Sequence, residues 1–249
     1  MITAILTVYN RSSTLLNQIE RLESQTIPPE EIWIWKNQSD TTDVSQIENL
    51  LKVRRQYPHI KIIDCLYNFK YHGRFALANL VRTEYVAILD DDMFPEPKWF
   101  ENCLESMKTC NGIMGGMGVR LTGKNGYQPN EKFGWQNHKS SRVEEVDICC
   151  QSWFFRKEWL KYLWFEEPLT WENGEDIHLS YLAKKYGNIH SYVPPHPISD
   201  TGMWSSDIAI GDTFAADEHA TWRTKDHFSI RDTICSTYRN NGWKIVLDR

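Results

Sequence analysis

Three consecutive acids, Asp90-Asp91-Asp92, close the apolar run Tyr85-Val86-Ala87-Ile88-Leu89. An unbroken apolar run of that length reads as a strand buried on both faces. In open α/β sheets ligands collect beyond the carboxyl ends of the strands, so acids placed there face a crevice rather than the core. Alternation along an extended chain sets Asp90 and Asp92 on one side and Asp91 on the other. Two hard oxygen ligands with open positions suit Mg²⁺ or Mn²⁺ bridging a diphosphate better than zinc. The plain alternative is a solvated acidic turn closed by Pro95; the place after a buried strand favours the site. Charge argues the same way, because a diphosphate beside three aspartates repels them at close range without a divalent cation.

A second group of acids lies in Trp171-Glu172-Asn173-Gly174-Glu175-Asp176, at the expected start of a helix. Acids there complement the helix dipole, but a carboxylate at the lip of a crevice can also take a proton from an attacking hydroxyl. The residues alone do not rank Glu175 against Asp176. His196, in Val193-Pro194-Pro195-His196-Pro197, is the best placed histidine to complete a metal site, with His219 and His227 behind it. A lone histidine is more often simply hydrogen-bonded. Arg223 and Lys225 beside Trp222 would fold over a diphosphate if the stretch from Pro194 to Thr221 is a lid; otherwise they form a solvated basic turn. Trp153, Trp171 and Trp204 are candidates for stacking on sugars or for core packing.

The elements that must position these residues alternate between strand and helix patterns, the signature of βα units on a mainly parallel sheet. Ile2 to Val8, Glu31 to Trp35, Ile60 to Asp64 and Tyr85 to Leu89 read as strands. Between them lie a helix capped by Ser13 or Thr14 with the stripe Leu15, Leu16, Ile19 and Leu22, a helix carrying Val44, Ile47, Leu50 and Leu51, and a helix over Arg74 to Val81. Beyond them the spacing predicts a helix from Pro97 to Cys110 and a strand over Ile113 to Leu121, then a surface excursion from Thr122 to Ser141. Strands over Val143 to Cys149 and Ser152 to Phe155 follow, with helices over Lys157 to Leu163 and Glu175 to Tyr186 and a strand over Ser191 to Val193. Pro194 to Thr221 has little periodicity, and a helix over Ser229 to Asn240 ends the pattern.

Composition limits what such a chain does. With 249 residues it is long enough for a full core. Its 28 basic and 33 acidic residues leave a formal charge of −5, which argues against a nucleic-acid partner held by phosphate neutralisation. Six cysteines form no Cys-x-x-Cys pair, and a reducing compartment is the default. No apolar run is long enough to span a bilayer, and the first residues carry no leader pattern, so a cytoplasmic protein is expected.

Taken in order, the opening strand through Tyr9-Asn10-Arg11, the segment Gly73-Arg74 to Leu80, Thr83 through Asp92, and Gly174-Glu175-Asp176 resemble a nucleotide-sugar glycosyltransferase of the GT-A fold, family 2 type, over about residues 1 to 190. The resemblance implies an α/β fold with a Rossmann-like, mainly parallel sheet and a smaller mixed acceptor side. One domain is expected over 1–249: a nucleotide-binding half to about 110, then an acceptor half with a C-terminal lid and helix. By this resemblance Thr7, Tyr9, Arg11 and Arg74 border the nucleotide or its phosphates, joined by Asn37 and Asp91. Asp90 and Asp92 bind Mn²⁺ or Mg²⁺, and Asp176 is the base of inverting members, with Glu175 beside it. The partners implied are a nucleoside diphosphate sugar, uridine-linked, and a glycan or glycoprotein acceptor. At the second strand the family's paired Asp with Gly-Ser-Thr is replaced by Trp35-Lys36-Asn37-Gln38-Ser39. Asn37 there is similar to the exostosin-type transferases, which retain configuration. Rival readings are a non-catalytic carbohydrate-binding protein on this fold, a glycosidase using Asp92 and Asp176, and a nucleotidyltransferase. The last is disfavoured because Thr7-Val8-Tyr9-Asn10-Arg11 has no glycine to cradle a triphosphate.

Overall fold

The structure, a computed structural model, describes residues 1–39, 44–134, 139–215 and 220–248. Among them nine strands form one sheet: β1 (Ile2–Val8), β2 (Glu31–Lys36), β3 (Lys61–Asp64), β4 (Tyr85–Leu89), β5 (Gly112–Leu121), β6 (Asn130–Phe133), β7 (Glu144–Val146), β8 (Ile148–Arg156) and β9 (His190–Val193). Their order is β3-β2-β1-β4-β8-β5-β9-β7, with β6 paired to β5. The first four pair in parallel, and β8 then runs antiparallel to both β4 and β5. This is the α/β architecture expected, with a parallel side and a mixed side on one continuous sheet. Helices α1 (Leu15–Glu23), α2 (Val44–Gln56), α3 (Gly73–Ala78), α4 (Trp99–Thr109), α5 (Glu175–Gly187), α6 (Ile208–Ala215) and α7 (His227–Asn240) flank it.

β4 lies between β1 and β8, in register Leu6↔Leu89 and Leu89↔Ser152, and Val86 to Leu89 are buried. Each such fully buried aliphatic side chain contributes roughly 1.5–3 kcal/mol, so the strand that presents the three aspartates is among the best anchored parts of the fold. β8 is irregular opposite them. Its register against β5 shifts between Gly115 and Met117, and Gln151 takes φ +66°. Such bulges re-aim a strand next to a site; here the Gln151 carbonyl accepts the Asp90 N–H at 2.9 Å.

Several local expectations are corrected. Thr14 stands at the α1 N-cap position, but its hydroxyl donates to the Arg11 carbonyl at 3.0 Å and does not cap the helix. In α2 the buried residues are Gln46, Leu50 and Val53, while Val44, Ile47 and Leu51 are exposed. The strand expected over Val143 to Cys149 breaks at Asp147, whose carboxylate accepts the Leu121 and Val246 N–H groups, and β8 continues through Cys149 and Cys150. The excursion from Thr122 contains β6, and the aperiodic stretch after Pro194 contains a 3₁₀ turn at Thr201–Met203 and α6.

A second apolar cluster seats α7 against α5, joining Ile177, Tyr181 and Leu182 to Ile234, Cys235 and Tyr238. Gly174 makes this approach possible: it sits at φ +86°, and a Cβ there would overlap Ile234 Cδ1. Gly174→Ala combines a left-handed backbone with overpacking and is expected to cost about 2 kcal/mol or more. A denaturant midpoint equal to that of the native chain would count against so tight a seat.

Candidate active site

Beyond Leu89 the chain leaves the extended conformation and turns, with Met93 N–H donating to the Asp90 carbonyl at 3.1 Å. Gln18, on α1, fixes this turn from beneath by donating to the carbonyls of Asp90 (2.9 Å) and Met93 (2.8 Å). Because alternation holds only on extended chain, the expected split of Asp91 from Asp92 is corrected. Both turn to Arg11, whose Nη1 lies 2.7 Å from Asp91 Oδ1 and 3.8 Å from Asp92 Oδ2. Asp90 instead pairs with Arg74, the buried second residue of α3. The other arm of Arg74 reaches Glu175 Oε1 at 2.7 Å, and its guanidinium carbon lies 4.6 Å from the Trp153 ring centre. One arginine therefore ties the acids after β4 to those that open α5.

Glu175 and Asp176 are adjacent but differ in environment. Asp176 Oδ1 accepts the Ile177 N–H at 2.8 Å and Arg231 Nη1 at 3.0 Å; Oδ2 accepts Arg231 Nη2 at 2.7 Å and the Cys150 thiol at 3.3 Å. Burial opposes ionisation of Asp176, but the Arg231 charge and its hydrogen bonds outweigh it and hold the carboxyl below the usual range. Burial and the neighbouring Asp176 charge push Glu175 up to about 7, against the pull of Arg74. Asp92 is likewise pushed up to about 7, by burial and then by Asp91 and Asp90. Two neighbouring carboxyls displaced in opposite directions are a pattern of acid–base sites, though ion-pair networks also produce it.

The other residues singled out by sequence divide into those near the acids and those apart. Thr7 donates its hydroxyl to the Leu89 carbonyl at 3.1 Å. Tyr9 is partly exposed, with Asn68 Nδ2 3.4 Å from its hydroxyl. Asn37 holds the loop before α3, donating to Asn68 Oδ1 at 2.7 Å and accepting the Phe69 N–H at 2.9 Å. That loop reaches the α5 side through Lys70 and Glu172, 3.0 Å apart.

His196 is not brought to the aspartates. Its Nδ1 donates to the Pro194 carbonyl at 2.8 Å, and its Nε2 accepts the Ser205 N–H at 3.2 Å. Burial keeps it neutral, with the imidazole pushed down to about 4, so its lone pair is spent within its own loop. His219 lies outside the described residues. His227 stands beside Asn173, with Nδ1 3.1 Å from Nδ2. Trp153 is buried beneath Arg74, Trp171 is exposed and packs edge-on against His72, and Trp204 carries Lys139 over its ring. Arg223 and Lys225 are exposed. The segment with α6 is joined to the neighbourhood of the acidic turn by two hydrogen bonds: Asp207 N–H donates to the Phe94 carbonyl at 2.7 Å, and Arg11 Nη2 donates to the Phe214 carbonyl at 3.0 Å.

Sequence reasoning missed Arg231, Cys150 and Tyr127, whose ring centre lies 4.4 Å from the Arg231 guanidinium. One signal was available for the arginine. It shares a helical stripe with Ile234, Cys235 and Tyr238 at spacings of three, four and seven, all buried in α7, and a charge placed in an apolar stripe requires a buried partner.

The sequence profile described as glycosyl transferase family 2 matches residues 3–164, which include Arg74 and the three aspartates but end before Glu175. Among solved structures, a crystal structure of S. aureus TarS is similar, with a TM-score of 0.54 and 16% identity over 78% of this chain and 36% of that one. A structure of S. aureus TarS 1-349 gives a TM-score of 0.51 and 17% identity over 79% of this chain and 60% of that one. At these identities the likeness is one of fold, and the chain spans less than two thirds of either neighbour. No curated protein matches. Among the described residues no helix is long and apolar enough to cross a membrane. With the profile covering well over half its length, and the acid-tipped β4 lying within the match, the chain belongs to glycosyl transferase family 2.

Proposed function

We propose that the chain moves a sugar from a nucleoside diphosphate sugar, with uridine as the nucleoside, to a hydroxyl of a glycan or glycoconjugate, with inversion. The observation that carries this reading is the Arg74 bridge, which joins Asp90 after β4 to Glu175 beside Asp176 and so ties both groups of acids into one cluster. The two halves of the sheet then serve as one catalytic domain.

Among the described residues no three side chains of His, Cys, Asp or Glu gather as a ready ligand set. The donor set nevertheless fits a hard divalent cation. Asp92 Oδ1 is buried with no hydrogen-bond partner among the described residues, and carboxylate oxygen with open positions is what Mg²⁺ and Mn²⁺ take. Asp90 and Asp92 would hold the ion, which when bound supplies Lewis-acid stabilisation of a departing diphosphate. The chain's own groups do the rest. Arg74 Nε, buried and without an acceptor among the described residues, is a donor available to a phosphate oxygen. Thr7, Tyr9 and Arg11 border the nucleotide, and Asn37 holds the adjoining loop. Asp176 takes the proton of the acceptor hydroxyl as its oxygen attacks the anomeric carbon from the face opposite the diphosphate.

Thermal unfolding with UDP, GDP, CDP and dTDP, each with Mn²⁺, Mg²⁺ or EDTA, tests this reading. One nucleotide is expected to raise Tm only with metal, by mass action worth about 2.7 kcal/mol at a hundredfold excess over Kd, and Asp92→Ala is expected to abolish the shift. Sugar affinity with no nucleotide binding under any condition would favour the carbohydrate-binding reading instead.

A further inference from the structure

We propose that Arg231, on α7 outside the segment matched by the family profile, is the positioning residue for the Asp176 carboxylate. The inference rests on the reading of Asp176 as base. The guanidinium meets the carboxylate fork to fork, at 3.0 and 2.7 Å, and both side chains are buried. Bidentate pairs of this kind fix orientation as well as charge. Arg231 is itself held on several sides. Its Nη1 is 3.3 Å from Asn173 Oδ1, and its guanidinium carbon lies 4.4 Å from the Tyr127 ring centre. Asp232, the next residue of α7, fastens the Tyr127 loop by accepting the N–H groups of Tyr127 (2.7 Å) and Gln128 (3.1 Å). The helix is seated on Gly174, immediately before the two acids, through Ile234. Thus the carboxylate opens one helix and its orientation is set by another.

This arrangement leaves one oxygen suited to a proton. Oδ1 takes two N–H donors, whereas Oδ2 takes one from Arg231 and a thiol at 3.3 Å from Cys150. A thiol is a weak donor, so Oδ2 has acceptor capacity for a substrate hydroxyl while Arg231 prevents the group from turning. A base displaced by about 1 Å loses on the order of a hundredfold in rate.

Crystal structures and turnover of Arg231→Met and Arg231→Lys test the inference, with turnover read as UDP released from UDP-glucose or UDP-N-acetylglucosamine with Mn²⁺. In R231M the Asp176 carboxylate is expected to leave its present orientation, and kcat to fall about a hundredfold with the Kd for UDP within threefold of native. R231K restores the charge without the fork and is expected to recover roughly a tenth of native kcat. An unmoved carboxylate in R231M, or native kcat in either variant, overturns the proposal. If R231M does not fold, R231K decides alone, because a loss of kcat at native UDP affinity is not what a merely structural arginine gives. Asp176→Asn is measured in parallel. Native turnover there removes the base assignment and this inference with it, whereas a dead D176N beside native arginine variants removes this inference alone.

Discussion

Asp176→Asn is expected to lower kcat by about 10²- to 10⁴-fold, the range ascribed to a positioned general base, while leaving the affinity for the metal–nucleotide pair nearly native. The affinity is preserved because Asp176 makes no contact with the turn after β4; its partners are Arg231, Cys150 and the Ile177 N–H. The substitution does disturb the buried ion pair. An asparagine oxygen still accepts from one arm of Arg231, but the guanidinium loses its counter-charge, a change on the order of 3 kcal/mol for a buried pair. A lower Tm is therefore expected together with the kinetic loss, and rates must be compared at a temperature where both proteins are folded. Tight nucleotide binding beside lost turnover supports the base assignment; lost binding would move Asp176 to the donor side. Glu175→Gln is the companion variant. Its carboxyl, pushed up to about 7, is poised in the physiological range, and turnover lost in E175Q but kept in D176N would transfer the role to Glu175.

How far the site was legible follows from the physics of each element. β4 and its acids were readable because a strand between two others needs unbroken apolar sequence, and its abrupt polar end marks the sheet's edge. The pairing of the acids was not, because alternation stops where the ladder stops, and 91–92 form a turn. The buried face of α2 was misread for another reason. That helix packs over the loop after β1, where Gln46 donates to the Tyr9 carbonyl at 3.2 Å, so a polar residue occupies a position the apolar stripe claimed. α6 escaped because eight residues, Ile208–Ala215, span barely two turns and give periodicity nothing to repeat. His196 looked available because sequence shows a ring but not the Pro194 carbonyl and Ser205 N–H that occupy it.

Arginines do for this site what the acids alone could not. Arg11 gathers Asp91 and Asp92, Arg74 spans Asp90 and Glu175, and Arg231 orients Asp176. They come from the loop after β1, from α3 and from α7, so three distant segments must fold together before the carboxylates can be buried side by side. The net charge of −5 conceals this, because the balance is local.

Arg74→Met carries the largest expected effect on stability. The methionine fills much of the volume over Trp153, but Asp90 and Glu175 lose their shared cation. Removing one partner of a buried pair costs about 3–5 kcal/mol, and here the Glu175 side is buried while Asp90 is partly open to solvent. The deficit should depend on pH with a definite sign. Burial already raises both carboxyls, Glu175 to about 7 and Asp90 upward, and in both cases Arg74 opposes the rise. Without the arginine their folded-state values climb further above the unfolded ones, so the folded state binds protons that the unfolded state does not. Stability then rises as pH falls through those values. R74M should lie furthest below the native chain near pH 8 and recover part of the difference by pH 5.5, where protonation neutralises the stranded acids. Urea midpoints at the two pH values, taken in EDTA, decide it. A deficit that is equal at both, or larger at the lower, would mean that Arg74 contributes through packing against Trp153 and not through its charge.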